Sequence, residues 1–296
     1  MRAAPLPVRD GLGPDRIRMP AEAVATTIVG YLRAAYPEED WAARLATGEL
    51  VDEHGRAVTE DSRYQPTRFV YFYREPAPEV PVPFPVEVLH REDGLVVADK
   101  PHFLATIPRG AHIRESVVVR LRRELELPDL VPVHRLDRMT AGVLLCTTDP
   151  QRRRPYQQLF EQQRVRKVYE AVAGYRPELE FPRVVRSRIV KRHGELTAEQ
   201  FLDGEPNAET RIELLERRGE RARYRLHPRT GRTHQLRLHL AALGIPIVGD
   251  NFYPRFERRR ADDFTEPLRL LARSLEFTDP ISGVARWFVS DRVLQW

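Results

Sequence analysis

The sequence has very little cysteine: Cys146 is the single one in 296 residues. One thiol excludes a disulfide framework within the chain and any zinc site that needs several cysteines. Because Cys146 lies in the apolar run 143–146, we expect it to be a small buried side chain. A protein without disulfides fits a reducing compartment, and we therefore expect it in the cytoplasm.

Long apolar runs are also missing. No segment approaches the roughly 20 apolar residues that a membrane-spanning helix needs. The N-terminus has no apolar signal core and is interrupted by prolines, Asp10 and Asp15, which matches neither a secretory nor a transit peptide. We therefore expect a protein that does not bind membranes. We also expect it to be monomeric.

The motifs that hold nucleotides, dinucleotides or metals are absent too. The sequence contains no G-x-x-x-x-G-K-[ST] loop, no G-x-G-x-x-G turn and no G-x-S-x-G elbow. His234 and His239 are five residues apart, one step away from the spacing that places two ligands on one helical face. We therefore expect no metal and no cofactor, so that any chemistry rests on side chains alone.

Lysine is rare, whereas arginine is abundant. The lysines are Lys100, Lys167 and Lys191, in a chain with 48 basic residues and a net charge of +5. Arginine can bind phosphate in a bidentate fork and stack on bases, so this composition favours a polyanionic partner. For the arginines outside motifs, the codon bias of a GC-rich genome is the simpler explanation.

Repeated prolines at 76–85 forbid a helix and favour an extended linker. We therefore predict an N-terminal appendage over 1–75, with helices near 21–32 and 39–47 and a strand over 68–73. The main domain is predicted over 86–296. In it, strand-like runs joined by hairpin signals outnumber strand–helix–strand units, which indicates an α+β fold with a mixed, mainly antiparallel sheet and flanking helices.

Three polar stretches lie in apolar, strand-forming surroundings. In the first, 133–142, Asp137 lies between Arg135 and Arg138, which would hold its carboxylate ionised. Taken alone, an aspartate here is more typical of a turn cap that accepts hydrogen bonds from backbone N–H groups. In the second, 167–174, strand alternation places Lys167 and Tyr169 on one face, where a tyrosine either stacks on a base or fills a core.

The third stretch, 227–240, is a glycine-containing turn that leads into a helix with a buried stripe of leucines. A helix N-terminus together with Arg229 and Arg232 can hold an anion. A solvated basic turn is the alternative reading of the same residues.

These stretches carry a resemblance to a known family. HRLDRMTAG at 134–142, KVYEAVAG at 167–174, RTGRTHQLRLHL at 229–240 and VGDNFY at 248–253 resemble, in order and spacing, the signature blocks of RluA-type pseudouridine synthases. The resemblance covers essentially all of 86–296. It implies a mixed sheet split by a central cleft, no cofactor, an essential Asp137, an active-site Tyr169 and Arg232 as the basic partner of Asp137.

The resemblance also implies structured RNA, ribosomal or transfer, as the partner. A uridine must leave its stack to react, so we expect a basic rim around the pocket. The predicted RNA-binding residues are His134, Arg135, Arg138, Thr140, Lys167, Arg229, His234, Gln235 and Arg237. The appendage distantly resembles an S4-type RNA-binding module.

Several alternatives remain open at this level. Ala141 stands where the family often has serine, which affects a loop hydrogen bond but not the carboxylate. An inactive RNA-binding protein would keep the fold, although the presence of Asp137, Tyr169 and Arg232 argues against it. A nuclease would need paired metal-binding carboxylates and a methyltransferase a glycine-rich loop. Whether Asp137 attacks the sugar, attacks the base or removes a sugar proton is not decided by the sequence.

Overall fold

The structure is a computed structural model that describes residues 4–201 and 203–296. The chain divides into two compact units, one ending at Pro78 and the other comprising Glu79–Trp296. This division falls inside the proline-rich segment 76–85. The helices of the described residues all lack the length and apolar character of a membrane-spanning segment.

The second half of the proline-rich segment belongs to the second unit and is not a free tether. Val82 is buried in the core of that unit, and Phe84 packs against it. Arg120 donates hydrogen bonds to the carbonyls of Phe84 and Val82 at 2.7 and 2.6 Å. Prolines therefore keep this stretch extended, while its apolar side chains attach it to the domain that follows.

The first unit is a three-stranded antiparallel sheet with two short helices. Its first helix begins later than predicted, at Ile28, because Thr27 adopts an extended conformation and its side chain caps Gly30 N at 3.1 Å. The core contains Leu32, Trp41 and Phe72. The elements are β1 (Asp15–Arg18), α1 (Ile28–Ala35), α2 (Trp41–Ala46), β2 (Val51–Asp52) and β3 (Phe69–Phe72).

The second unit is built on one large sheet. Its strands in the described part of the chain are β4 (Glu87–Glu92), β5 (Leu95–Lys100), β6 (Val131–Pro132), β7 (Ala141–Thr147), β8 (Arg166–Gly174), β9 (Arg183–Val190), β10 (Glu199–Phe201), β11 (Ala208–Arg218), β12 (Arg221–Pro228), β13 (Leu270–Thr278) and β14 (Ala285–Val289). Its helices there are α3 (Val117–Glu124), α4 (Pro150–Glu161) and α5 (Gln235–Ala242).

The strand order is β10-β9-β11-β12-β8-β13-β7-β5-β4, with β14 on β13 and β6 on β7. Only the short β13–β7 contact is parallel among these described pairs; the others are antiparallel. The predicted α+β fold with a mixed, mainly antiparallel sheet is therefore confirmed. The hairpins at Asp93–Gly94 and Gly219 use residues with positive φ, as tight turns require.

Both faces of the sheet centre are covered. Every residue of β5 and β7 is buried, and alternate residues belong to two different clusters. Leu144 and Cys146 face one cluster, in which burial raises the pKa of the Cys146 thiol to about 12. Leu145 faces the other cluster, where it meets Tyr156 and Leu159 of α4. A strand that is buried on both faces has a continuous apolar sequence, and residues 143–146 show this pattern.

Gly142 allows β7 to reach the sheet centre. Its φ is +111°, and a Cβ at this position would lie 2.2 Å from the carbonyl oxygen of Ala272 in β13. Because a side chain cannot fit there, only glycine permits the parallel contact of β7 with β13. This contact fixes the strand that begins directly after the 133–140 loop.

Candidate active site

Asp137 lies in the loop between β6 and β7. Its carbonyl accepts a hydrogen bond from Thr140 N at 3.0 Å, which closes a turn. Its carboxylate does not cap that turn but faces a pocket, with Oδ2 lying 3.6 Å from Arg237 Nη1 and Oδ1 lying 3.9 Å from His234 Nε2. With 31% of its side chain exposed, Asp137 is accessible to a ligand and is held by positive charge.

Arg237 is fixed on the first turn of α5. Its Nε and Nη2 donate to the two carboxylate oxygens of Asp250 at 2.8 and 2.6 Å, and only 2% of its side chain is exposed. The guanidinium also lies over the ring of Phe252, 4.7 Å from its centre. Burial alone would lower the pKa of Arg237, but hydrogen bonding and charge from Asp250 raise it. Arg237 is therefore a permanently charged, immobile partner for Asp137.

Arg232 is not the basic partner of Asp137 that the family resemblance implies. Its Nε donates to the carbonyl of Asn207 at 3.1 Å, and its side chain is exposed at the pocket mouth. The ion pair with Asp137 is made by Arg237 instead. Arg232 precedes α5 in the turn, so its side chain leaves the chain in a direction that helical periodicity does not predict.

His234 is a second group beside Asp137. It precedes α5 in a left-handed conformation, with φ of +57°. Its Nδ1 lies 2.9 Å from the Tyr253 hydroxyl, which also lies 2.9 Å from the carbonyl and 2.8 Å from the amide nitrogen of Ala198. The hydroxyl proton must go to that carbonyl because the carbonyl cannot donate, so His234 Nδ1 donates to Tyr253.

The protonation of His234 follows from these contacts. Burial lowers the pKa of the imidazole, although the charge of Asp137 partly opposes this. The ring is then neutral near pH 7 and carries its proton on Nδ1. Its Nε2 lone pair faces the same space as the Asp137 carboxylate and can accept a proton there. A non-glycine residue with positive φ at a helix start is a form of backbone strain that is concentrated at functional sites.

Tyr169 comes from β8 into the same pocket. Burial and the nearby charge of Asp137 raise the pKa of its phenol well above the usual value, so the hydroxyl stays protonated. Its ring packs on the core, which fixes the aromatic face. The pocket has a volume of about 100 Å³ and is lined by Arg135, Leu136, Asp137, Thr140, Lys167, Tyr169, Pro228, Thr230, Gly231, Arg232, His234, Gln235, Leu236, Arg237 and Leu270.

Two of the three lysines support this pocket. Lys167 Nζ donates to the carbonyl of Thr230 at 2.9 Å, and burial lowers the pKa of its amine to about 8. Lys100 is fully buried, and its Nζ donates to the carbonyls of Leu104 and Arg138 at 2.7 and 3.0 Å. Lys100 thereby ties the backbone next to Asp137 to the end of β5.

A buried polar network holds the turn before α5. Gln235 Oε1 accepts from Thr230 Oγ1 and Arg232 N at 2.7 and 3.0 Å, and its Nε2 donates to Thr210 Oγ1 at 2.9 Å. Thr210 Oγ1 lies 2.9 Å from His239 Nδ1, whose ring continues the network to Ser187. Gln235, which was predicted to bind RNA, thus uses its polar atoms within the protein and lines the pocket.

The predicted RNA-binding residues fall into two groups. Arg135 and Arg229 are exposed. His134 instead accepts from Leu145 N at 3.1 Å and stacks on Phe160, and burial lowers its pKa to about 3. Arg138 is partly buried and donates to the carbonyl of Phe103 at 3.3 Å. Thr140, Gln235 and Arg237 are buried, and Lys167 and His234 are bonded within the site.

No cluster of three or more potential metal-binding side chains occurs within residues 4–201 and 203–296. Ala141, where the family resemblance suggested serine, is fully buried in an apolar cluster with Val172 and Leu271. An alanine fits that environment without an unsatisfied hydroxyl.

The sequence is similar to those of a known protein family. The sequence profile described as RNA pseudouridylate synthase matches residues 94–242. An uncharacterized RNA pseudouridine synthase of Synechocystis sp. is 31% identical over 216 residues, which cover 72% of this chain and 73% of the relative. The dual-specificity RNA pseudouridine synthase RluA of Escherichia coli is 31% identical over 214 residues, covering 68% and 90%.

Solved structures agree with this assignment. Human RNA pseudouridylate synthase domain containing 4 is 27% identical, with a TM-score of 0.54 and coverage of 70% of this chain and 88% of that one. Human RNA pseudouridylate synthase domain containing 1 has the same fold, with a TM-score of 0.57 at 23% identity and coverage of 70% and 84%.

Proposed function

This chain belongs to the RNA pseudouridylate synthase family, and we propose that it isomerises specific uridines to pseudouridine in structured RNA with Asp137 as the essential carboxylate. One observation carries this proposal. Asp137, Arg237 and Tyr169, which come from three separate stretches of sequence, meet in one pocket around an accessible carboxylate.

The reaction explains why these groups are needed. The bond between N1 of uracil and C1′ of ribose breaks, the base turns, and a bond forms between C5 and C1′. The proton on C5 leaves and N1 gains one, so the product is an isomer of the substrate. A carboxylate can act here as a nucleophile or a base without a cofactor.

Each neighbour of Asp137 has a defined part in this proposal. Arg237 orients the carboxylate through the ion pair at 3.6 Å. Tyr169 presents a fixed aromatic face on which the extruded uracil stacks. His234, with its free Nε2, is placed to accept a proton near Asp137. These roles rest on the contacts described above and not on sequence position.

The exposed arginines around the pocket supply the basic rim. Arg135, Arg229 and Arg232 are exposed, and we propose that they hold phosphates while the base is flipped. The buried Gln235 and Arg237 line the pocket instead, and His134 supports the Asp137 loop through Leu145 N and Phe160. We keep the N-terminal unit as a candidate RNA-binding module, and we propose a monomeric, cytoplasmic enzyme.

Relatives carry names such as dual-specificity RNA pseudouridine synthase and ribosomal large subunit pseudouridine synthase D. We propose ribosomal or transfer RNA as the substrate of this chain by analogy. Pseudouridine mapping in total RNA from cells with and without the gene tests this proposal. Sites that disappear with the gene, and return with the wild-type gene, identify the substrate; an unchanged pseudouridine map would overturn the proposed function.

A further inference from the structure

A basic and aromatic segment, 254–260, extends from the groups that hold Asp137. It follows Asp250, Phe252 and Tyr253, which contact Arg237 and His234 in the site. The segment contains four arginines and one glutamate. Its position and composition suggest that it has a function of its own.

The segment has a defined conformation and is attached to the site by aromatic contacts. Glu257 N donates to the carbonyl of Asn251 at 2.7 Å, and Asn251 Nδ2 donates back to the carbonyl of Glu257 at 3.2 Å. The Phe256 ring packs on the Phe252 ring with centres 5.5 Å apart. Phe252 in turn lies 4.7 Å from the Arg237 guanidinium. Phe256 is thus two ring contacts away from the arginine that pairs with Asp137.

The exposed groups of this segment match a single-stranded nucleic acid. Phe256 is 47% exposed, although a large aromatic ring is usually buried. Arg255 and Arg258 are exposed and make no ion pair or hydrogen bond within the described parts of the chain. Arg259 and Arg260, by contrast, are bonded to Glu266 and Asp262. An exposed ring beside two free guanidinium groups can stack one base and bind the adjoining phosphates.

We propose that segment 254–260 is a second RNA contact, in which Phe256 stacks on a base flanking the target uridine and Arg255 and Arg258 bind its phosphates. This inference rests on the proposed function, because it assumes that the uridine enters the Asp137 pocket from an RNA strand.

The test measures tritium release from uridine labelled at C5, with total RNA from cells lacking the gene as the substrate, at several salt concentrations. The variants are Phe256→Ala, Phe256→Trp, and Arg255→Gln combined with Arg258→Gln. Arg221→Gln is the control for the loss of one surface charge, and effects are compared per charge removed. Arg221 is exposed, is unpaired in the described structure, and lies at the far end of β12, roughly 20 Å from Pro228 at the pocket.

Phe256→Ala should raise the apparent KM for RNA by roughly tenfold, which corresponds to one lost stacking contact, whereas Phe256→Trp should stay near the wild type. The double arginine variant should raise KM and lower the salt slope of binding by about one for each lost phosphate contact, and Arg221→Gln should change neither. An unchanged KM in all variants, or equal losses in Arg221→Gln, would overturn the second contact while the enzyme activity stands. Without tritium release by the wild-type protein, the proposed function fails, and this inference fails with it.

Discussion

Arg237 Nη1 lies 3.6 Å from Asp137 Oδ2, while Arg237 Nε and Nη2 donate hydrogen bonds to Asp250. The Asp137 carboxylate is therefore positioned by a buried arginine that is itself fixed by a second carboxylate, that of Asp250. Because Asp250 follows the 248–249 turn, the VGDNFY stretch belongs to the active site through this ion pair.

Replacing Arg237 by glutamine should lower the single-turnover rate by roughly 10²- to 10³-fold, because a preoriented charge beside the reacting carboxylate is lost. It should also cost about 3–5 kcal/mol of unfolding free energy, since the buried Asp250 loses its counter-ion and keeps only the hydrogen bonds from Phe252 N and Tyr253 N. Rapid-quench kinetics and urea unfolding measure the two effects.

Two variants control this experiment. Arg237→Gln combined with Asp250→Asn should recover much of the stability but not the rate. Arg232→Gln should reduce the single-turnover rate at saturating RNA by less than about tenfold. A larger loss of rate in Arg232→Gln than in Arg237→Gln would return the role to Arg232.

Gly142→Ala should prevent folding of the second unit. The new Cβ would lie 2.2 Å from the carbonyl of Ala272, so β7 and β13 would have to separate at the sheet centre. We expect a loss of more than about 4 kcal/mol, seen as insoluble protein or a collapsed thermal transition. Gly219→Ala is the control: it also has positive φ but open space around it, and it should cost only about 1 kcal/mol. Similar stabilities of the two variants would contradict the close-approach explanation.

His239 should make the protein sensitive to acid. It is fully buried between Ser187 and Thr210, and burial lowers its pKa from 6.5 to about 4. Between these two values the unfolded chain binds a proton that the folded chain does not, so stability falls as the pH falls. From pH 7 to pH 5 this residue should account for roughly 2 kcal/mol.

Urea unfolding at both pH values checks this prediction. His102 and His134, whose pKa values burial lowers to about 4 and about 3, act in the same direction and remain in every variant. His239→Gln should be less stable than the wild type at pH 7 but should lose less on acidification. An equal loss in the two proteins would show that His239 does not titrate in this window.

Much of the fold could be predicted from the sequence because its signals are local. The hairpin at Asp93–Gly94 and the apolar run 143–146 report their own structure through turn residues and burial. The central strand β13 has no such local signal, since its position depends on pairing with β8 and β7, which are distant in sequence. The strand β9 has none either, because its arginines alternate with buried residues and resemble a basic surface segment.

The site was predictable in part for the same reason. Strand alternation correctly placed Lys167 and Tyr169 on one face, and both line the pocket. The choice between Arg232 and Arg237 depended on the turn before α5, where His234 adopts a left-handed conformation that no local pattern indicated. The pairing of Arg237 with Asp250 is a tertiary contact, so neither sequence motif predicts it.

The most direct test of the central claim is tritium release from C5-labelled uridine by Asp137→Asn, compared with the wild type on the same RNA from cells lacking the gene. Asparagine keeps the shape of the side chain but cannot act as a nucleophile or base. We expect wild-type protein to release tritium and Asp137→Asn to release none above background, while it folds and binds RNA as before. Tritium release by Asp137→Asn at a rate near that of the wild type would contradict the account.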